Sequence, residues 1–176
     1  MKNLLLGVSG GIAVYKACEL TSLATKAGWD VRVVMSDNAT RFVGPVTFAG
    51  LTGNPVLTST FDDAMAHIDW PKWATVACVA PATANSLAKL ASGIADDVLS
   101  TTLLALRRGT PCVLGPAMNT EMWCNPAVQR NVAWLAEQER YTIVDPVEKR
   151  LACGDVGVGG LASPGDLLAA IEGARG

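Results

Sequence analysis

Short, almost wholly apolar runs recur along the chain, separated by stretches with helical spacing. Leu4-Leu5-Leu6-Gly7-Val8, Val31-Arg32-Val33-Val34-Met35 and Thr75-Val76-Ala77-Cys78-Val79 have strand length. So do Pro111-Cys112-Val113-Leu114 and Tyr141-Thr142-Ile143-Val144. Helical spacing occupies residues 12–27, closed by Gly28 as a C-cap, and the stretches near 83–91, 96–107 and 126–138. Strands alternating with helices of this length imply βαβ crossovers. The predicted fold class is α/β, an open and mostly parallel sheet with helices on both faces.

Two segments break the pattern. Residues 44–66 carry Gly44, Pro45, Gly50, Gly53 and Pro55, which predicts a short helix plus a connection at the sheet edge. Residues 145–165 hold Gly154, Gly157, Gly159, Gly160 and Gly165, with Pro146 and Pro164. So many glycines predict an irregular, mobile flap, and a loop of this length in a compact domain is often functional.

The 176 residues suffice for one domain, expected over 1–176, and hardly for two. Only 17% of them are charged, the net charge is -2 and no Lys/Arg run occurs, which argues against a nucleic-acid partner. The five cysteines are scattered without C-x-x-C spacing, so neither a zinc site nor a disulfide scaffold is expected. No stretch reaches the roughly 20 apolar residues of a membrane span, and no secretory signal precedes the first strand. A cytoplasmic protein is expected.

Five segments could carry chemistry. In Gly7-Val8-Ser9-Gly10-Gly11-Ile12-Ala13, a strand runs into a helix through small residues. Such a turn lets backbone amides approach an anion at a helix N-terminus, although a tight turn without a ligand has the same sequence. The spacing fits neither G-x-G-x-x-G nor the Walker A loop. Pro81-Ala82-Thr83-Ala84-Asn85-Ser86 follows another strand; Thr83 suits a helix cap, yet the segment has more polar groups than one cap needs. His67 is the only histidine. A lone histidine is more often structural than catalytic, but its ordinary pKa suits a general base. Gly115-Pro116-Ala117-Met118-Asn119-Thr120-Glu121-Met122-Trp123 places an asparagine amide, which can both donate and accept, at a strand end. Its methionines and tryptophan suit a core or a cofactor wall equally. Cys153 lies in the glycine-rich flap, where a thiol can be packing or chemistry.

Taken together and in this order, the segments resemble the flavin-dependent cysteine decarboxylases. Pro116-Ala117-Met118-Asn119-x-x-Met122-Trp123 is the most specific match, and His67 before Ile68-Asp69 is the second. Ala152-Cys153-Gly154-Asp155 points to the branch of that family acting on 4′-phosphopantothenoylcysteine in coenzyme A biosynthesis. Relatives that decarboxylate the C-terminal cysteine of a peptide commonly lack this cysteine motif. That oxidative peptide reaction is the alternative function.

The resemblance implies a Rossmann-like flavoprotein fold with FMN as cofactor. FMN would contact Ser9, Gly10, Gly11 and Ile12, then Ser36 and Asn38, then Thr83, Ala84, Asn85 and Ser86, with Ala117 against it. His67 would be the base, Asn119 would grip the substrate carboxylate beside Met122, and Cys153 would donate a proton in the last step. Oxidation of the substrate thiol to a thioaldehyde would provide an electron sink for decarboxylation. The cysteine would then decide between a saturated thiol and an enethiol product. Many bacterial members carry an arginine where this flap has Gly160, and many are fused to a synthetase domain. The family also implies a homotrimer, or a dodecamer of trimers, with FMN near a subunit interface.

Overall fold

The computed structural model describes residues 1–150 and 156–174. Six strands, β1 (Asn3–Val8), β2 (Asp30–Met35), β3 (Val56–Leu57), β4 (Val76–Ala82), β5 (Cys112–Pro116) and β6 (Tyr141–Ile143), form one sheet. Its order is β3-β2-β1-β4-β5-β6, and every neighbouring pair is parallel. The chain starts in the middle, winds outward to β3, then crosses back to lay β4 against β1. That reversal opens a crevice beyond the carboxyl ends of β1 and β4, where open α/β sheets take their ligands.

The continuous apolar runs have a direct cause. Both faces of the sheet are covered, so consecutive positions are buried; all seven residues of β4 are buried. Alternate residues feed opposite cores. Leu4, Leu6 and Val8 meet α1 (Val14–Lys26), Phe48 of α3 (Pro45–Thr52) and Leu167 and Ile171 of α9 (Pro164–Ala174). Leu5 faces the other way, toward α4 (Ala66–Trp73), α5 (Ala84–Ser92), α6 (Val98–Leu104) and α8 (Pro126–Ala136). Two short helices, α2 (Asp37–Thr40) and α7 (Thr120–Cys124), follow β2 and β5 directly.

The end of α1 matches its sequence reading. Gly28 has φ +83°, its N–H bonds to the Thr25 carbonyl and the Trp29 N–H to that of Ala24. This is a Schellman motif, in which a residue with a Cβ is strained at Gly28. Gly28→Ala is therefore expected to cost about 1–2 kcal/mol in urea unfolding.

Two expectations need correction. The segment 44–66 holds a short edge strand, β3, besides its helix; only Val56 and Leu57 pair with β2, too few for a periodic signal. Part of the flap is regular as well: β7 (Val147–Arg150) and β8 (Val156–Gly160) form a two-stranded antiparallel ribbon. The glycines there serve close approach. A Cβ at Gly159 would overlap the Met118 carbonyl oxygen, and the Met118 N–H donates to the Gly159 carbonyl at 2.9 Å. A Cβ at Gly157 would come within 2.5 Å of Thr120 Oγ1. The ribbon thus lies directly on the backbone that follows β5.

Candidate active site

At the switch point a serine staples two strands. Ser9, the first residue past β1, is buried, and its hydroxyl donates to the Pro81 carbonyl at 2.7 Å while accepting from the Thr83 N–H at 3.0 Å. Thr83 caps α5 in turn: its Oγ1 accepts from the Ser86 N–H at 3.3 Å and lies 3.1 Å from Ser86 Oγ. The hydroxyls of Ser9 and Ser86 are thus engaged with protein and set the position of Thr83. Thr83 and Ala84 border the main cavity, about 570 Å³ in volume, and the exposed Asn85 does not.

Beyond Ser9 the backbone turns into α1. Among the described residues, the amides of Gly10, Gly11, Ile12 and Ala13 make no backbone hydrogen bond, whereas Val14 N–H already bonds to the Gly11 carbonyl. Unpaired amides at the start of a thirteen-residue helix can take up an anion. Gly10 is seated against α2, where a Cβ would collide with Asn38 Cβ and lie 2.8 Å from the Asn38 carbonyl carbon. Ser36 caps α2, accepting from the Ala39 N–H at 3.3 Å. Asn38 shares with Gly10, Arg41 and Phe42 a second hollow of about 360 Å³. Ser36 and Asn38 therefore support the loop from behind, outside the main cavity.

The opposite wall comes from the end of β5. The Ala117 N–H donates to the Ala82 carbonyl at 3.1 Å, which ties this wall to β4. Asn119 caps α7, its Oδ1 accepting from the Glu121 N–H at 2.8 Å. That bond orients the Asn119 amide. Ala117, Asn119 and Met122 all border the cavity, and Gly159, Gly160 and Lys149 of the ribbon close its far side. Tyr15 and Lys149 are lining residues that sequence reasoning missed. Tyr15 sits three residues after Ile12, one helical turn away, and that spacing was the available signal.

The expected base stands apart from this cavity. His67 lies in the first turn of α4, half-buried, and is not among the residues lining the cavity. Its Nδ1 is buried without a hydrogen-bond partner, an arrangement that native structures rarely keep without a reason. Its helix is pinned to β2 by Arg32, whose guanidinium lies 4.2 Å from the Trp73 ring centroid and 5.6 Å from that of Trp70. Cys153 lies outside the described residues. Of the other thiols, Cys78 and Cys112 are poor proton donors at neutral pH: burial pushes Cys112 up to about 12 and raises Cys78 well above its ordinary value.

Comparison with known proteins converges on one family. A family described as Flavoprotein matches residues 1–176. The coenzyme A biosynthesis bifunctional protein CoaBC of Bacillus subtilis (strain 168) is 49% identical over 175 residues, 97% of this chain and 42% of the relative. That of Mycobacterium tuberculosis (strain ATCC 25618 / H37Rv) is 45% identical over 162 residues, 91% of this chain and 38% of the relative. The chain thus spans well under half the length of these relatives. Among solved structures, a cysteine-to-serine mutant of PPC decarboxylase complexed with pantothenoylaminoethenethiol superposes with a TM-score of 0.87 at 31% identity, covering 97% of this chain and 96% of that one. The FMN-dependent cysteine decarboxylase SpaF superposes with a TM-score of 0.83 at 36% identity, covering 99% and 97%. The sheet order, the amide-lined crevice and a match running from the first residue to the last agree: the chain belongs to the Flavoprotein family.

Proposed function

We propose that this chain is an FMN-dependent decarboxylase that converts the cysteine moiety of 4′-phosphopantothenoylcysteine to 4′-phosphopantetheine in coenzyme A biosynthesis. The observation that carries the proposal is the crevice itself, with unpaired amides at one end and the oriented Asn119 amide across from them. FMN fits this donor set. The amides of residues 10–13 and the Thr83 hydroxyl suit its phosphate, and the apolar wall at Ile12, Ala117 and Met118 suits a flat ring. A cavity of about 570 Å³ lies within the range of cofactor pockets. The bound flavin supplies a two-electron acceptor for the substrate thiol, without which the carbanion left by carbon dioxide has no sink.

The chain's own residues then orient and protonate. Asn119 donates from Nδ2 to the substrate carboxylate. The ribbon of β7 and β8 screens the crevice from water. His67 acts as the base from a neighbouring copy of the chain, in a homotrimer or a dodecamer of trimers. Apolar surface at both places supports that assembly: Ile12 and Tyr15 are 62% and 58% exposed at the cavity, Phe61 and Met65 94% and 52% just before His67. No helix of the described residues is long and apolar enough to cross a membrane, and a cytoplasmic site suits this chemistry.

A second reading, oxidative decarboxylation of a peptide's C-terminal cysteine, is compatible with the likeness to SpaF, an FMN-dependent cysteine decarboxylase. Mass spectrometry separates the two. Loss of carbon dioxide alone from phosphopantothenoylcysteine supports the first; turnover of a peptide only, with two further hydrogens lost, establishes the second. Cys153 is the residue expected to decide the oxidation state of the product. Cys153→Ser should still release carbon dioxide but accumulate the enethiol, two hydrogens short of the saturated thiol. Full conversion to the saturated thiol by that variant removes Cys153 from the proton-donor role.

A further inference from the structure

Lys149 reaches the cavity from β7 by a route that depends on the residue facing it. Its aliphatic stem lies across Gly160 of β8, where a Cβ would sit 2.7 Å from Lys149 Cγ, 2.6 Å from Cδ and overlap Cε. A side chain at position 160 would displace the lysine. The ammonium group meets a second cation. Lys16 of α1 donates from Nζ to the carbonyl of Leu161, the residue after Gly160, at 3.1 Å, which brings it beside Lys149. Burial, and then the charge of Lys149, make Lys16 easier to deprotonate than an ordinary lysine, with Glu19 acting the other way. Ion pairs among the described residues occupy Lys2, Lys72 and Lys89, and none of them involves Lys16 or Lys149.

Lys149 borders the cavity and Lys16 stands beside it, and two such cations repel one another until an anion enters. We propose that Lys149, backed by Lys16, forms a phosphomonoester-binding corner of the cavity, and that the phosphate it takes is the substrate's. This rests on the proposed function, in which the substrate ends in a phosphate. FMN also carries a phosphomonoester, but the unpaired amides of residues 10–13 and the Thr83 hydroxyl already suit that group. Lys149 stands on the ribbon side instead, and lysine binds phosphate well as a point charge. The glycine at 160 becomes a specificity feature, since it clears the path by which Lys149 enters.

The test is calorimetric titration of FMN-loaded protein with 4′-phosphopantetheine and with pantetheine, comparing the two Kd values. The wild type should prefer the phosphorylated ligand by on the order of tenfold to a hundredfold. Lys149→Gln should bring that ratio near one, and Gly160→Ala should lower it without removing any charge. Lys149→Arg should retain most of the preference, which separates a lost cation from a damaged fold. An unchanged ratio in Lys149→Gln overturns the assignment. So does a fall in its preference for FMN over riboflavin while the pantetheine ratio holds, because the pair then serves the cofactor. Turnover of phosphopantothenoylcysteine is followed in the same preparations. Discrimination of phosphate through Lys149 without decarboxylation sinks the proposed activity and leaves the lysine pair standing; decarboxylation with a ratio indifferent to Lys149 does the reverse.

Discussion

Replacing His67 by asparagine is expected to lower kcat by on the order of a hundredfold to ten-thousandfold, the usual worth of a positioned acid or base, while the protein keeps its flavin. Asparagine retains a polar group of similar reach but cannot take up a proton at neutral pH. The fold should tolerate the change, because α4 is held by Ala66, Trp70 and the Arg32 clamp rather than by the imidazole. The buried Nδ1 has no protein partner, so no hydrogen bond is lost with it. A stronger outcome follows from its place outside the cavity, taken with the proposed assembly. Mixed assemblies of His67→Asn chains and chains unable to hold FMN should regain activity, since some sites then combine an intact cavity with an intact histidine. Wild-type turnover by His67→Asn would remove it as the base, and an absence of recovery in the mixture would place the histidine in its own protomer's site.

How much of this was legible in sequence differs from element to element. β1, β2, β4 and β5 were visible because burial on both faces leaves an uninterrupted apolar run. The family resemblance, carried by residues 116–123 and by His67, agrees with the Flavoprotein match and with the cysteine decarboxylase structures. The ribbon of β7 and β8 was misread because glycine has two uses that look alike along a chain. It permits irregular backbone, and it permits another backbone to come close. Only the approach of Met118 to Gly159 shows which use applies. Ser9 was expected to contact FMN, but sequence does not reveal that Pro81 and Thr83 engage its hydroxyl from another strand. Lys149 was not singled out in the sequence. Its crossing over Gly160 and its meeting with Lys16 depend on strand pairing and on the packing of α1, which no local pattern encodes.

The loop after β1 supplies the other large effect. Gly10→Ala is expected to weaken FMN binding by on the order of a hundredfold, as a displacement near 1 Å in a positioned site does. The added Cβ would overlap Asn38 Cβ, lie 2.8 Å from the Asn38 carbonyl carbon and 3.1 Å from the Ala39 nitrogen. These are backbone and near-backbone atoms of α2, fixed by the Ser36 cap and by the buried Ala39. They cannot rotate aside as the end of a long side chain can, so the loop itself has to move. Its shift carries the amides of residues 10–13 away from the anion they are arranged to hold. Overpacking of this kind also costs about 1–3 kcal/mol of stability, which thermal unfolding of the flavin-free protein would register separately. Gly11→Ala is the control. Its Cβ would meet only Thr83 Cγ2, at an ordinary 3.7 Å, so fluorescence titration should find FMN affinity nearly intact. Equal affinity in both variants would show that the contact with α2 does not set the loop. Equal loss in both would mean that glycine flexibility, rather than the fit of Gly10 against Asn38, is what the cofactor needs.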